Sequence, residues 1–171
     1  MDDDFLGPVV SSAHLATGSF PEISEVEFGL TLANNAFHRW MTRCMATAGY
    51  PDLSPMEILV LHTVYNRDKP KKLADICLVL HIEDTHNVNY ALRKLKAAGL
   101  ISEGRVGKEK TVQVSDLGAK ACDDYRQVRE RLLLKTLKAL ELEPGEVSKL
   151  ASLLRLMSGQ YDQAARAATT Y

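Results

Sequence analysis

A chain of 171 residues, of which 46% are hydrophobic and 25% charged, is long enough to bury a core and has a globular composition. It contains no run of about 18 apolar residues, which excludes a membrane-spanning helix, and its acidic start (residues 1–4) is unlike a secretory or mitochondrial signal. Its cysteines, Cys44, Cys77 and Cys122, are too few and too widely spaced for a disulfide framework or a zinc site. The sequence therefore predicts a reduced, cytoplasmic protein.

Charge is distributed unevenly along the chain, although the net charge is only −1. Residues 1–66 contain two Arg against eight acidic residues, and residues 111–171 contain nine basic against eight acidic residues. Residues 67–110 contain ten Lys and Arg against six acidic residues. A local basic excess of this kind favours contact with nucleic acid, although many solvated surfaces reach the same balance.

Residues 1–21 are rich in Asp, Gly, Pro, Ser and Thr without periodicity, and they predict a flexible or loosely docked arm. A first long helix is predicted from Ser24, because Ser24 and Glu27 have the spacing of a capping box. Its apolar residues recur at alternating intervals of three and four, which keeps them on one face. They are Leu30, Ala33, Phe37, Trp40 and Cys44.

Three shorter helices are predicted next. The first begins at Ser54-Pro55-Met56-Glu57, which combines a capping box with Pro at the first helical position, and its apolar residues predict a central helix. The second begins near Lys71 and carries Leu73, Ile76, Cys77 and Leu80 on one face. The third is capped by Asp84 and ends at Gly99, with Val88, Ala91, Leu92 and Leu95 on its buried face.

Two short strands, residues 100–106 and 111–114, are predicted to form a hairpin with a charged link at residues 107–110. Ser115 is predicted to cap a long helix that carries Leu132, Leu133, Leu137 and Leu140. Pro144 is predicted to open a last helix with apolar residues again at intervals of three and four. They are Val147, Leu150, Leu154, Met157 and Tyr161.

The helix over residues 85–98 is the candidate recognition helix. Base reading in the major groove requires donors and acceptors near the start of a helix whose opposite face is buried. The predicted base-reading residues are Thr85, His86, Asn87, Asn89 and Tyr90. An ordinary surface helix would also be polar on its outer face, and only the preceding helices and following basic hairpin favour DNA.

Cations on this helix and on the hairpin could hold the DNA backbone. Short basic loops can contact phosphates or enter a narrow minor groove, although a charged turn can also serve solubility alone. The predicted backbone and wing residues are Arg93, Lys94, Arg105, Lys108 and Lys110.

Four blocks of sequence resemble the MarR family of bacterial transcription regulators, in the family's order. The resemblance spans residues 24–165, and the blocks are Ser54–Leu61, Leu73–Ile76, Leu92–Ile101 and Val114–Gly118. It implies a mainly α fold with a small β-hairpin wing, in which a winged helix-turn-helix is flanked by long dimerisation helices. The implied organisation is a flexible N-terminal arm (1–21), an N-terminal dimerisation helix (22–50), a winged helix-turn-helix DNA-binding module (51–115) and C-terminal dimerisation helices (116–171).

The resemblance also implies function. It implies a homodimer on a palindromic operator of double-stranded DNA, and release by a small aromatic or anionic effector or by oxidation of a cysteine. His38, Trp40, His62 or Tyr65 could line the effector pocket. The family's wing usually carries an Asp-x-Arg tip, whereas here the tip is short and Arg105 or Lys108 would replace that arginine.

The sequence contains no catalytic or cofactor motif, so we expect no enzyme activity, no metal and no cofactor. Two alternatives remain open at this stage. The outer helices could form the core of a monomer instead of a dimer interface. The winged module could also bind protein instead of DNA, because Glu83 and Asp84 are acidic where phosphates would approach.

Overall fold

The computed structural model describes residues 8–171, except for the side chain of Asp68. These residues form helices and one antiparallel hairpin, as the sequence predicts. In chain order the elements are α1 (Pro21–Thr47), α2 (Pro55–Tyr65), α3 (Leu73–Leu80), α4 (Thr85–Ala97), β1 (Ile101–Val106), β2 (Glu109–Val114), α5 (Asp116–Arg129), α6 (Lys135–Lys138) and α7 (Pro144–Ala168). The chain divides into a larger compact unit that ends at Val128 and a smaller one, Arg129–Tyr171.

Helix α1 begins earlier than predicted, because Pro21 occupies the first helical turn. Ser24 is inside the helix and donates its hydroxyl hydrogen to the carbonyl of Leu15 (2.7 Å), so the predicted capping box at Ser24 is wrong. The backbone N–H of Val9 donates to Glu25 Oε1 (2.9 Å). Residues 1–7 of the predicted arm lie outside the described residues, whereas the described part of the arm contacts α1.

Helix α2 is the centre of the larger unit, as predicted. Its capping box is formed: Glu57 N–H donates to Ser54 Oγ, and Ser54 N–H donates to Glu57 Oε2 (3.0 Å). The helix contacts α1, α3, α4 and β2. The buried core around it is drawn from every element of this unit, including Met41, Met45, Ile58, Val60, Leu61, Val64, Ile76, Val88, Leu95, Leu100, Ala121 and Cys122.

Helices α3 and α4 are joined by a tight turn. His81 ends α3 in the left-handed region (φ 57°), where a residue with a Cβ is strained. Asp84 caps α4, and its Oδ1 accepts a hydrogen bond from the N–H of His86 (2.9 Å). The predicted cap and the predicted stop at Gly99 (φ 72°) are therefore both confirmed.

The hairpin is longer and its turn tighter than the sequence predicts. The strands pair from Ile101 with Val114 to Val106 with Glu109, so only Gly107 and Lys108 form the turn. Gly107 adopts a positive φ (62°), which a glycine at this position of a two-residue turn allows. Residues 109 and 110, predicted to lie in the link, belong to β2 instead. The outer edge of β2 pairs with Lys71 through Val112, which ties the hairpin to the start of α3.

The base of the hairpin is closed by the residues that end α4 and begin α5. Ser115 Oγ donates to the carbonyl of Gly99 (2.6 Å) and accepts from the N–H of Gly118 (3.0 Å). A Cβ built on Gly118 would lie 2.0 Å from the carbonyl oxygen of Leu100. Only glycine therefore permits this approach of α5 to the hairpin. This contact gives a physical reason for two of the sequence blocks described above, Leu92–Ile101 and Val114–Gly118.

The predicted C-terminal segment, residues 116–171, is divided between the two units after Val128. Within α5, Ala121, Cys122 and Tyr125 are buried in the core of the larger unit. The long helix predicted after Ser115 is confirmed as far as Lys138, since α5, a π-helical turn (Glu130–Leu134) and α6 follow one another with helical dihedral angles at their junctions. It ends before Leu140, which was predicted to lie in it. Helix α7 begins at Pro144 as predicted, and none of its residues is buried in the described chain.

Candidate nucleic-acid interface

Helix α4 presents the predicted base-reading residues on an exposed face. Val88, Ala91 and Leu95 are buried on its opposite face, where α4 contacts α2, α3 and β1. The side chains of Thr85, His86, Asn87, Asn89 and Tyr90 are all exposed. The helix is thus supported from behind and open in front, which is the arrangement that reading a groove requires.

The first turn of α4 is ordered by the side chain of Asp84. While its Oδ1 caps the helix, its Oδ2 accepts a hydrogen bond from Asn87 Nδ2 (3.0 Å). The amide of Asn87 is therefore partly committed to the protein. Asn89 makes no side-chain hydrogen bond within residues 8–171, so its amide remains available to an external partner.

Tyr90 lies between two cations on the exposed face. Arg93 Cζ is 5.8 Å and Lys94 Nζ 5.6 Å from the centre of the Tyr90 ring. Both distances fall within the range of a cation–π contact. The three side chains therefore restrain one another on this face.

Two of the predicted wing cations face each other across the hairpin. Arg105 and Lys110 are directly paired in the register, and both are exposed. Like charges in opposed positions destabilise a strand pair, so an anion between them would be favourable. Lys108 is exposed in the turn, at the tip of the hairpin.

A cleft of about 600 Å³ separates α4 from the hairpin. Its lining includes Asn89 and Arg93 of α4 together with Arg105 and Lys110 of the hairpin. The structure thus brings four of the ten predicted contact residues to one groove. The other six lie elsewhere on the same module: Thr85, His86, Asn87, Tyr90, Lys94 and Lys108 do not line this cleft.

The acidic residues of the hairpin are neutralised by lysines that the sequence did not single out for this role. Glu103 Oε2 lies 2.6 Å from Lys96 Nζ, and this hydrogen bond lowers the pKa of the Glu103 carboxyl. Glu109 pairs in the same way with Lys72 at the start of α3, which raises the pKa of Lys72. These pairs connect the hairpin to α4 and to the start of α3, and the charge of Lys110 also helps to lower the pKa of Glu103. Sequence alone offered no signal, because each pair joins separate elements.

Lys94 also has a partner within the protein. Its Nζ is 3.4 Å from Oε1 of Glu57, whose side chain is only 3% exposed. The same carboxylate belongs to the capping box of α2. Lys94 thus has an acidic partner within the protein. Among the described residues, the structure records no such partner for Arg93, Arg105 or Lys108.

A second cleft, of about 1030 Å³, lies where α2 and α3 end and α5 begins. Of the four predicted pocket residues, His62 and Tyr65 line it and His38 and Trp40 do not. His62 packs edge-on against Tyr125 (4.7 Å between ring centres), and burial lowers its pKa. The His62 Nε2 atom is buried and has no hydrogen-bond partner among the described residues.

All three cysteines are buried, and none of them forms a disulfide within residues 8–171. Burial, and secondarily the charge of Asp123, raises the pKa of the Cys122 thiol to about 12, so the thiolate needed for oxidation is scarce at neutral pH. Over the described residues no group of three or more His, Cys, Asp or Glu side chains could hold a metal ion. No helix in residues 8–171 is long and apolar enough to cross a membrane.

Residues 53–118 match the family model described as a winged helix DNA-binding domain. No curated protein sequence matches the chain. The solved structures that it resembles include NMB1585, a MarR family regulator from Neisseria meningitidis (TM-score 0.65, 14% identity, 84% of this chain and 95% of that one). The chain has the MarR fold.

Two further structures share this fold. AbfR of Staphylococcus epidermidis has a TM-score of 0.66 at 13% identity, covering 82% of this chain and 92% of its own. The transcriptional repressor CouR, solved bound to a 23-mer DNA duplex, has a TM-score of 0.65 at 19% identity, covering 82% and 98%. These structural matches extend beyond the winged domain, because 82–84% of this chain is more than residues 53–118. At these identities the likeness establishes the MarR fold alone.

Proposed function

We propose that this MarR-fold chain is a transcription regulator that binds a palindromic operator in double-stranded DNA as a homodimer, in the cytoplasm and without catalysing a reaction. The observation that carries the proposal is the cleft between α4 and the hairpin. There the free amide of Asn89 lies in the same groove as Arg93, Arg105 and Lys110. A donor and acceptor group beside three cations suits a base edge with its flanking phosphates.

In this proposal α4 enters the major groove and its exposed residues contact bases. Asn89 has the chemistry for a bidentate contact with adenine, and Thr85, His86, Asn87 and Tyr90 supply further polar contacts. Arg93, Arg105 and Lys110 hold phosphates beside the cleft. Lys108, at the tip of the hairpin, contacts the backbone or the adjacent minor groove.

The homodimer is supported by apolar surface on both outer helices. Half of the Phe37 side chain and 41% of Leu30 are exposed on α1, and 58% of Leu150 is exposed on α7. Contiguous apolar faces of this kind usually mark an interface. A second copy of the chain is the occupant that best fits, because a two-fold dimer presents two recognition helices to two half-sites.

We further propose that the cleft beside His62 binds the effector. Its lining combines apolar residues of α2 and α3 with the cation of Arg67 and the ring of Tyr65, which suits a small aromatic or anionic molecule. Release of bound DNA by benzoate, a simple aromatic anion, would support this assignment. An unchanged response in Arg67→Gln would argue against the arginine as the anion's partner.

The first experiment is fluorescence anisotropy with a labelled duplex from the region upstream of the protein's own gene, titrated at several salt concentrations. Wild-type binding should weaken steeply with salt. Replacing Arg105, Lys108 and Lys110 by Ala should weaken binding to all sequences and flatten the slope of log affinity against log salt by about 0.9 for each lost phosphate contact. A control that replaces Lys135, Lys138 and Lys149 by Ala changes the net charge equally and should keep the wild-type slope.

Asn89→Ala tests base reading separately. It should cost about 1–3 kcal/mol at a single base pair and leave binding to random duplex nearly unchanged. An equal loss on every sequence would show that Asn89 contacts the backbone or only supports the helix.

The second candidate function is a winged module that binds protein. It is favoured by Leu78 and Val79, which are 76% and 66% exposed on α3, close in sequence to the exposed acids Glu83 and Asp84. Apolar side chains beside acidic ones suit a protein surface better than a phosphate backbone. Absence of binding to the upstream duplex and to random DNA at low salt would favour this function.

A further inference from the structure

The carboxylate of Glu57 lies at the junction between the central helix and the candidate recognition helix. The residue is 2% exposed, and both of its oxygens are engaged. Oε2 accepts a hydrogen bond from the N–H of Ser54 (3.0 Å), and Oε1 faces the ammonium of Lys94 at 3.4 Å. The carboxylate therefore joins the start of α2 to the second half of α4.

This carboxylate cannot move to follow Lys94. It lies one residue before Ile58 in a helix whose buried side chains form the centre of the core. A carboxylate that is buried without a counter-charge is costly, whereas one that keeps its partner is tolerated. If Lys94 turned towards a DNA phosphate, it would leave Glu57 uncompensated, so the ammonium is held at the protein.

The other side of Lys94 faces the exposed surface of α4. Its ammonium lies 5.6 Å from the centre of the Tyr90 ring, which is also 5.8 Å from Arg93 Cζ. Glu57, Lys94 and Tyr90 therefore form a continuous series from a fixed, buried group to a predicted base-reading side chain. Lys94 is half exposed, so it can connect the two environments.

We propose that Glu57 is a positioning residue for the recognition helix, which acts through Lys94 to orient Tyr90 towards DNA. Lys94 is then a part of the protein scaffold and holds no phosphate, unlike Arg93, Arg105 and Lys108. The role in DNA recognition rests on the proposed function, whereas the coupling between Glu57 and Lys94 is a property of the free protein.

The coupling is tested first without DNA, by a double-mutant cycle in urea unfolding. Glu57→Gln keeps the size of the side chain and its place in the capping box, since Gln also serves there. Lys94→Gln should lower the urea midpoint in the wild-type background and have little further effect in the Glu57→Gln background. Lys96→Gln is the matched control, because Lys96 pairs with Glu103 and its effect should add to that of Glu57→Gln. Additive effects for Lys94 as well would overturn the inference.

The DNA measurement separates a positioning lysine from a phosphate contact. Lys94→Gln should reduce the ratio of operator to random-duplex affinity about 10-fold and leave the salt slope unchanged, whereas Lys108→Gln should flatten the slope by about 0.9. Glu57→Gln should lower the same ratio, whereas Lys94→Arg in the wild-type background, which keeps the charge beside Glu57, should retain most of the wild-type ratio. A flatter slope for Lys94→Gln in both backgrounds would mean that Lys94 holds a phosphate, and the inference would be wrong.

Failure of the proposed function is distinguishable from failure of this inference. If wild-type protein binds no duplex, the regulator proposal and the DNA role of Glu57 both fail, even where the unfolding cycle shows coupling. If the protein binds DNA but the cycle is additive, only the positioning role fails.

Discussion

Helices α2 and α7 are both rich in apolar residues, yet they differ in what covers those residues. In α2, Ile58, Val60 and Leu61 are fully buried within the larger unit. In α7, Leu150 and Leu154 are exposed by 58% and 38%. The comparison teaches that periodicity predicts a face to be covered without identifying the surface that covers it. The winged module covers the apolar residues of α2 itself, whereas α7 has no buried residue among those that the structure describes.

The largest effect is expected when charge is introduced on α7, because it should disrupt the proposed dimer. Replacing Leu150 and Leu154 by Glu removes two leucines from each protomer's interface. Four leucines are lost from the dimer, and at about 1.5–3 kcal/mol for each buried leucine it should lose at least about 6 kcal/mol, which raises its Kd by at least about 10,000-fold. Sedimentation equilibrium over a range of concentrations measures this change directly.

Gln160→Glu is the matched control, because it adds a charge to the same helix away from the leucine face, and the dimer should persist. The unfolding of the winged module should be nearly unchanged in the double variant, since α7 contributes no buried residue. A wild-type chain that stays monomeric at high micromolar concentration would rule out the homodimer.

Gly118→Ala should destabilise the winged module itself. The added Cβ would lie 2.0 Å from the Leu100 carbonyl oxygen and 2.9 Å from Val114 Cγ2, so backbone must move. We expect the free energy of unfolding to fall by about 3 kcal/mol, at the upper end of the range for overpacked sites. Chemical denaturation followed by circular dichroism would measure the loss.

The same substitution at Gly159 provides a control of opposite sign. Gly159 lies inside α7 with no atom within 4 Å of a built Cβ, so Ala should stabilise the helix by about 0.5–1 kcal/mol. Equal effects at the two glycines would mean that the approach of α5 to Leu100 is not a requirement of the fold.

Local signals account for most of the fold that the sequence predicted correctly. The capping box of Ser54 and Glu57, the cap at Asp84 and the stop at Gly99 each depend on residues within four positions of one another. The start of α1 was wrong for a related reason. Two plausible starts compete there, and Pro21 begins the helix while Ser24 bonds to Leu15 instead.

The candidate site was predictable in its residue types and not in its pairings. An amphipathic helix must expose its polar residues, so the open face of α4 followed from the sequence. Whether a lysine on that face is free depends on acids that are distant in the chain. Glu57 and Glu103 engage Lys94 and Lys96, and no spacing rule connects those positions.

The pH dependence of stability tests the contact between α2 and α5. His62 is buried against Tyr125, and burial holds its pKa below the ordinary value of 6.5. As the pH falls below about 6.5, the unfolded chain takes up a proton that the folded chain does not, so stability should decrease. One proton sets a limit of about 1.4 kcal/mol per pH unit for this contribution.

His62→Gln should remove this part of the pH dependence, measured as urea unfolding at pH 7.5 and 5.5. If His62→Gln keeps the pH dependence of the wild type, the acid sensitivity of the module comes from other groups.

The smallest effect is expected at His81, where the packing of α3 and α4 imposes a left-handed backbone on a residue that does not favour it. Comparing His81→Gly with His81→Ala isolates the strain, because both remove the imidazole and its contacts while only Ala keeps a Cβ. The Gly variant should be more stable than the Ala variant by about 1 kcal/mol, measured by urea unfolding. Ala is the more favourable residue wherever φ is negative, so the opposite order would show that the turn relaxes out of the left-handed region. The module would then tolerate change between α3 and α4 without transmitting strain to the core.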